Sequence, residues 1–505
     1  MSDPTRSAEP AGPQEAVPEE RHPEFAKDGS PTTAPEERHP ELAKDGSPTT
    51  APEERHPELA KDGSPTTAPE ERRPELAKDG ASRRAAGPSA GVSRRRLFAG
   101  AAGGAVAGAL VGAAGTAAAY GYAGGTHPAA ADEVDSIDLT KSVPFYDQAV
   151  PAGIRTPPQR HALFMTFDLA PSATRDDLRA LLARWTAAIG QLVQGKPIGV
   201  VEPARPDAVG VDTGEAFGLE PASLTVTVGL GPGVFDDRFG LAGKRPALLQ
   251  PLPRIPGESL DPELSGGDLS LQVCADDHQV AYHAVRNLAR MVTTTAQTRW
   301  VVMGFGRASA GAGQTTPRNL FGFKDGTRNV SGDTEFDTFV WLQDAGWMTG
   351  GTYQVVRKIR MTIENWDADR VSDQQQVFGR SKDQGAPLSG SAEFDTPDFA
   401  RQDGDGALLI DPHSHVALAS PENNGGVKIL RRGYNYTDGL NAQGLLDAGL
   451  LFISYQNDPA HFVTLQEKLG RFDLLNEYIQ HIGSGIFAVP PAPKTGGYIG
   501  QALFD

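Results

Sequence analysis

From Arg160 onward the chain runs through two kinds of hydrophobic pattern, and it does so twice in the same order. HALFMTFDL, from His161, is a short apolar run that reads as a buried strand. TRDDLRALLARWTAAIGQL sets Leu178, Leu181, Leu182, Trp185, Ile189 and Leu192 on one face of a helix, with Thr174 at its N-cap. SLTVTVGL and DLSLQVCA alternate apolar and polar residues as strands do, DHQVAYHAVRNLARMV returns to the helical period, and TRWVVMGF is a strand again. A second series follows: strand GTYQVVRKIRM, helical ENWDADRVSDQQQVFGR, strands KILRRGYNY and GLLFISYQ, helix PAHFVTLQEKLG and a short strand GIFAVP. Each series has the order β-α-β-β-α-β, the split β-α-β arrangement. The expected fold is therefore α+β, with two ferredoxin-like units whose antiparallel sheets carry their helices outside.

The residues before this region have a different character. A 17-residue unit, PEERHPEFAKDGSPTTA, begins at Pro18 and returns at Pro35, Pro52 and Pro69. Each copy has one bulky apolar residue among Pro, Glu, Lys, Asp and Thr, so burial cannot offset its ordering entropy. Residues 1–92 read as a disordered, solvated tether. The histidines of the repeat, His22, His39 and His56, are replaced by Arg73 in the fourth copy, which argues against a metal-collecting array. Next come SRRRLFAG from Ser93 and a weakly hydrophobic Ala/Gly stretch without charge, and Ala129-Ala130-Ala131 offers a small-residue cleavage site. Residues 93–131 resemble a twin-arginine signal peptide, which predicts export to the periplasm, cell surface or medium through the twin-arginine machinery. The remaining divisions are an N-terminal unit at 132–306, a joining segment at 307–350 and a C-terminal unit at 351–505.

A formal charge of −17 argues against nucleic acid as a partner. The lone Cys274 excludes an internal disulfide and thiolate metal cages. Chemistry concentrates in two places. NLFGFKDGTRN, Asn319 to Asn329, puts Asp325 among glycines, cations and the aromatic rings of Phe321 and Phe323, where an unpaired carboxylate is costly. DPHSHVALASPENNGGVKILRRGYNY holds His413 and His415 in a loop, with Arg431 and Arg432 following. Adjacent residues of a strand face opposite ways, so only one of the two arginines can enter a pocket.

GFKDG at Gly322–Gly326, SHVALASP at Ser414–Pro421, ILRRGYNY at Ile429–Tyr436 and GLLFISYQ at Gly449–Gln456 together resemble the dye-decolourising (DyP-type) haem peroxidases. The resemblance spans roughly Pro144 to Val489 and is nearest to the twin-arginine-exported subgroup that includes deferrochelatases. It implies one haem b per chain, bound in the C-terminal unit, with His415, six residues before Pro421, as the iron ligand. It implies Asp325 as the acid-base group and Arg431 as the arginine on the open face. Gly326, Thr327 and Arg328, with Ser420, Pro421 and Glu422, would border the haem and its propionates, while Leu450 and Phe452 would wall the open side. His413 stands where the family often has Asp, and it remains the alternative ligand. Asp473 or Glu477 would accept the imidazole N–H, and Trp341, Trp347, Trp366, Tyr434 and Tyr455 are the available electron relays. The implied activity is reduction of hydrogen peroxide at the expense of phenolic, dye-like or other small aromatic donors. Iron release from haem and haem carriage without catalysis are the other two functions. The resemblance leaves open an iron-uptake partner and assembly as a homo-oligomer.

Overall fold

The computed structural model describes residues 137–205, 207–306 and 316–505. The repeats, the twin-arginine-like signal and the part of the joining segment at 307–315 lie outside the described residues. The first series folds as β1 (His161–Leu169), α1 (Arg175–Leu192), β2 (Thr225–Leu230), β3 (Leu269–Ala275), α2 (His278–Arg290) and β4 (Ala296–Phe305). Thr174 caps α1 as its sequence predicts, and a reciprocal bond with Asp177 completes a capping box. After α3 (Gly332–Phe339) comes the second series: β5 (Thr352–Met361), α4 (Ile363–Asp367), α5 (Val371–Phe378), α6 (His415–Ala419), β6 (Leu430–Arg431), β7 (Tyr434–Leu440), β8 (Leu446–Gln456), α7 (Pro459–Phe472) and β9 (Ile479–Val489). A final short helix, α8, spans Gln501–Phe504.

Both halves have the same antiparallel order, β2-β3-β1-β4 in the first and β9-β5-β8-β7 in the second. They do not remain separate sheets. Gly304 and Phe305 of β4 pair with Tyr436 and Asn435 of β7, and Leu230 of β2 pairs with Ala488 of β9. With β5 also paired to β8, the pairings close into a ring, which leaves few open strand edges.

Ring closure explains where the patterns read from sequence differ from the structure. Every residue of β2 and β3 is buried, including the polar members of their alternation. Val226, Val228, Leu271 and Val273 join the core shared with α1 and α2. Thr225 and Gln272 belong instead to a buried polar network. Gln159 donates to Thr225 Oγ1 at 3.0 Å, Tyr455 donates its hydroxyl to Gln272 Oε1 at 2.7 Å, and Gln354 donates to the Tyr455 hydroxyl at 2.8 Å. Buried polar groups are tolerated because they satisfy one another.

In the second series the single helix read from ENWDADRVSDQQQVFGR is two, α4 and α5. The Trp366 carbonyl accepts from the Gln374 side chain at 2.7 Å and from the Asp369 amide at 3.2 Å, a tightened last turn that closes α4 before α5 begins. The strand KILRRGYNY is interrupted at Arg432 and Gly433, though β6 and β7 keep one register on β8. The last strand begins at Ile479, not at the Gly485 of GIFAVP. Its first half, IQHIGS, has no clear periodicity and crosses a register shift opposite Lys358 and Ile359. Gly449 shows how tightly β8 lies on β5, since a Cβ there would sit 1.9 Å from the Ile359 carbonyl oxygen.

Candidate functional site

Between the sheet of the second half and α5, α6 and α7 lies a cavity of about 1550 Å³ of atom-free space, its open mouth included. Ile359 and Met361 of β5 and Leu450 and Phe452 of β8 form one wall; Phe378, His415, Val416, Ala419, Leu465 and Leu469 contribute from the helical side. The walls are mostly apolar, and the polar groups cluster at a few points, the usual construction of a small-molecule or cofactor site.

His415 is the first residue of α6 and presents part of its ring to the cavity, with Nδ1 2.6 Å from Asp473 Oδ2. Asp473 is buried, and its other oxygen accepts from the Leu475 amide at 2.9 Å, so the carboxylate is fixed from both sides. Burial works against the His415 imidazolium, but the charge and hydrogen bond of Asp473 outweigh it and the pKa is raised. An imidazole that donates from Nδ1 keeps Nε2 as the free, electron-rich nitrogen. His413 is elsewhere: its side chain is 56% exposed, lies beside Phe472 and lines no part of the cavity. Among the described residues Glu477 forms no hydrogen bond or ion pair with His415; the acceptor is Asp473.

Asp325 and Arg431 face the same cavity. Arg431 Nη1 lies 3.3 Å from Asp325 Oδ1, and Nη2 donates to the Thr327 carbonyl at 2.9 Å. Asn329 fixes the backbone of the arginine, accepting from its amide at 2.9 Å and donating to its carbonyl at 2.7 Å. Arg432 points the other way, as strand geometry requires, and donates to Gln159 and the Thr156 carbonyl. The loop bearing Asp325 is pinned by buried Glu393, which accepts from Thr316, from Thr327 at 2.9 Å and from Lys324 at 2.5 Å. Burial alone would raise the Glu393 pKa, but these three donors overcome it and hold the group ionised. Gly326 has φ of 132°, a conformation open to glycine and few others, and lets the chain turn between Asp325 and Thr327.

Gly326, Thr327, Arg328, Ser420 and Pro421 also line the cavity. Glu422 does not. It pairs instead with Arg328 at 2.5 Å and accepts from Ser420, and chiefly the Arg328 bond lowers its pKa to about 2. Arg328 has a left-handed backbone, φ 59°, uncommon for a residue with a side chain. Phe321 and Phe323 pack into an aromatic cluster with Trp366 and Phe378; Phe321 reaches the cavity wall and Phe323 stacks on Phe378 at 4.1 Å. None of Trp341, Trp347, Trp366, Tyr434 and Tyr455 lines the cavity, and Trp366 alone belongs to the cluster behind its wall.

The family Dyp-type peroxidase matches the chain twice, through its N-terminal domain over residues 151–306 and its C-terminal domain over 316–494. The chain belongs to the DyP-type peroxidase family. A Yersinia pestis protein named deferrochelatase is 38% identical over 434 residues, covering 82% of this chain and 95% of that protein. The deferrochelatase of Escherichia coli K12 is 38% identical over 373 residues, 71% of this chain and 86% of its own. Among solved structures, the DyP-type peroxidase of Streptomyces coelicolor shares 40% identity and a TM-score of 0.68, covering 73% of this chain and 98% of that one. Ferric DtpA of Streptomyces lividans gives 40% and 0.68, over 72% and 97%.

This DyP-type peroxidase also has cavity residues that sequence reasoning missed. Arg380 is buried and lines the cavity, donating to the Gly385 and Glu393 carbonyls at 2.6 and 2.9 Å. Burial first, then the charges of Arg328 and Arg431, lower its guanidinium to about 10. Cations gathered this closely suit an anionic ligand group between them. His481 also lines the cavity. It lies 3.1 Å from Gln466 Nε2, and burial, then the charge of Arg357, push its pKa down to about 3. Neither residue sits in a recognisable motif: Arg380 is the last residue of the helical segment ENWDADRVSDQQQVFGR, where a cation is ordinary, and IQHIGS around His481 has no clear periodicity.

The depressed His481 pKa has a consequence for stability. An unfolded histidine titrates near about 6.5, so between that pH and about 3 the unfolded chain binds a proton that the folded chain does not. The contribution is fully present above about pH 6.5 and is lost as pH falls, with a slope of up to about 1.4 kcal/mol per pH unit. Thermal unfolding followed from pH 6.5 to 4.5 should therefore fall less steeply in His481→Gln than in the parent protein, a difference of about 1 kcal/mol per pH unit. Equal slopes would mean that His481 is protonated in the folded state.

Proposed function

We propose that the protein is a haem peroxidase in which His415 binds the iron, Asp325 transfers the peroxide proton and Arg431 stabilises the developing charge. The observation that carries this reading is the pairing of Asp325 with Arg431 on a cavity that also receives His415. The cavity fits haem on its own chemistry: apolar walls suit the macrocycle, Arg328, Lys324, Lys428 and Arg380 suit its carboxylates, and His415 has Nδ1 engaged and Nε2 left for iron. Haem, once bound, supplies the iron at which peroxide is reduced and the oxidising equivalents are held.

The protein residues do the rest. Asp473 accepts the hydrogen bond of His415 Nδ1–H, fixing its tautomer and making Nε2 a stronger electron-pair donor. The Asp325 carboxylate accepts a proton from one oxygen of hydrogen peroxide and returns it to the departing oxygen, which leaves as water. Arg431 cannot deprotonate and is held in place by Thr327 and Asn329, so its charge is aimed before the O–O bond breaks. Two one-electron donors complete the turnover: one peroxide and two phenols give two waters and two phenoxyl radicals.

Iron release from haem is the second reading, favoured by the two deferrochelatase relatives. No group of three or more potential metal-holding residues occurs among the described residues, so released iron has no built acceptor here. We rank peroxide-dependent oxidation first. Export by the twin-arginine route is part of the same reading, supported by Ser93-Arg94-Arg95-Arg96-Leu97-Phe98 ahead of an uncharged Ala/Gly stretch.

His415→Ala should abolish haem retention, read from the Soret band, while exposed His413→Ala should keep it; the opposite pattern would move the ligand to His413. Asp325→Asn or Arg431→Leu should slow the reaction with peroxide by factors of about 10² or more at unchanged haem content. In the same preparation, haem-loaded protein under reducing conditions without peroxide should release little fluorescent metal-free porphyrin. Rapid stoichiometric release with negligible peroxidase turnover would instead make iron removal the main activity. Changing Arg94, Arg95 and Arg96 together to Lys should leave the protein in the cytoplasm, and unaltered export would reject the twin-arginine assignment.

A further inference from the structure

Two flanks of the cavity come from distant parts of the chain. The loop from Asn319 to Asn329 carries Asp325 and Arg328, and the end of α6 with the turn after it carries Ser420 and Pro421. Each flank is fastened from behind. Glu393 holds the first through Lys324 and Thr327, while Asn423 and Asn424 hold the second by donating to the Ala417 and Leu418 carbonyls, both at 2.7 Å. Among the described residues, only one hydrogen-bonded pair joins residues 319–329 to residues 414–427, and it is Arg328 with Glu422.

The pair is bidentate. Arg328 Nη1 donates to Glu422 Oε2 at 3.2 Å and Nη2 to Oε1 at 2.5 Å, and Ser420 donates its hydroxyl to the same Oε2. Solvent reaches both partners, since the Arg328 side chain is 27% and the Glu422 side chain 40% exposed. Arg328 lines the cavity and Glu422 does not, so the carboxylate holds a cavity cation from outside the lining. The Arg328 charge is felt at Arg380, buried in the same lining, and Arg431 adds to it. Cations in one another's field gain from an anion between them, and a haem carboxylate is such an anion. Glu422, its pKa lowered to about 2, is already one. Two carboxylates that need the same guanidinium repel each other.

We propose that the Arg328–Glu422 pair is a latch on haem exchange: it ties the two flanks together in the haem-free protein, and Glu422 competes with a haem carboxylate for Arg328. The inference rests on the haem reading of the cavity. Opening the latch breaks one solvent-exposed pair while both flanks keep their own fastenings, so the passage widens without unfolding either. Glu422 then acts against haem twice. It has to give up Arg328 before the carboxylate can take it, and afterwards its charge pushes on the group that replaced it, which speeds departure. A simple brace would do the reverse, because removing a carboxylate that only steadied Arg328 would weaken haem retention.

The test mixes the haem-loaded full chain with excess apomyoglobin and follows haem transfer at the Soret band. Glu422→Gln keeps an acceptor for Ser420 and removes the charge. It should slow the transfer by about threefold or more, the size of one like-charge contact near a surface. The slowing should shrink in about 1 M salt, where the Debye length is about 3 Å. Arg328→Gln removes the cation that both carboxylates need and should speed the transfer instead. Asn423→Ala loosens the same turn without touching its charge and should not slow it. Transfer from Glu422→Gln as fast as from the parent or faster, or equal slowing in Asn423→Ala, would overturn the latch alone. A parent chain that takes up no haem would overturn the latch together with the haem reading, whereas slowed transfer in a protein without peroxidase turnover would uphold the latch and reject the peroxidase reading.

Discussion

Two short edge pairings, β4 with β7 and β2 with β9, determine what the rest of the molecule must do. Once the two half-sheets close on each other, the strands enclose an interior in which Phe164, Val302, Val356, Ile453 and Phe487 are buried together. That interior cannot be filled by aliphatic residues alone on this sequence, and Gln272, Gln354, Tyr455, Gln159 and Thr225 meet there as a satisfied polar network. With the inner faces committed to each other, the outer face of each half-sheet is left for helices. In the first half α1 and α2 pack onto it as part of the main core. In the second half α6 and α7 leave the gap that is the cavity lined by His415, because the chain between α5 and β6 is long and its only α-helix is the five-residue α6.

How much of this was legible depends on how local the signal was. The apolar face of α1, its Thr174 cap and the opposed directions of Arg431 and Arg432 follow from the 3.6- and 2-residue periods, and the structure has all three. Ring closure was not legible, because the same alternation TVTV describes a strand with a wet polar face and one with a buried polar face. Only the partners across the ring decide between them. The first half of β9 was missed for a related reason: IQHIGS is held by pairing to β5, not by any preference of its own.

The same distinction runs through the site. GFKDG, SHVALASP and ILRRGYNY are compact motifs, and Asp325, His415 and Arg431 stand within them and meet on one cavity. The residues that hold those three in position are distant in sequence and ordinary in appearance. Glu393 is 66 residues from Thr327, and Asp473 is 58 from His415. Glu477 was as good a choice as Asp473 on sequence alone. What separates them is that Asp473 ends α7 with one oxygen on the Leu475 amide and the other free to meet the imidazole.

These supports also account for the position of Asp325. Glu393 is saturated by Lys324, Thr316 and Thr327, Glu422 by Arg328 and Ser420, and Asp473 by His415 and a backbone amide. Each is committed to holding a neighbour. Of the two carboxylates that line the cavity, Asp325 is the one whose side chain has only Arg431 against it, at 3.3 Å. A carboxylate with a single long contact can accept a proton without dismantling its surroundings, whereas protonating any of the other three would release a loop or a ligand. Arg431, in turn, keeps its orientation through Thr327 and Asn329 even when Asp325 is neutral. In the proposed mechanism the proton carrier, Asp325, and the fixed charge, Arg431, would thus be mechanically independent while adjacent. That independence suits a proton moved out and back within one turnover better than a permanent ion pair does.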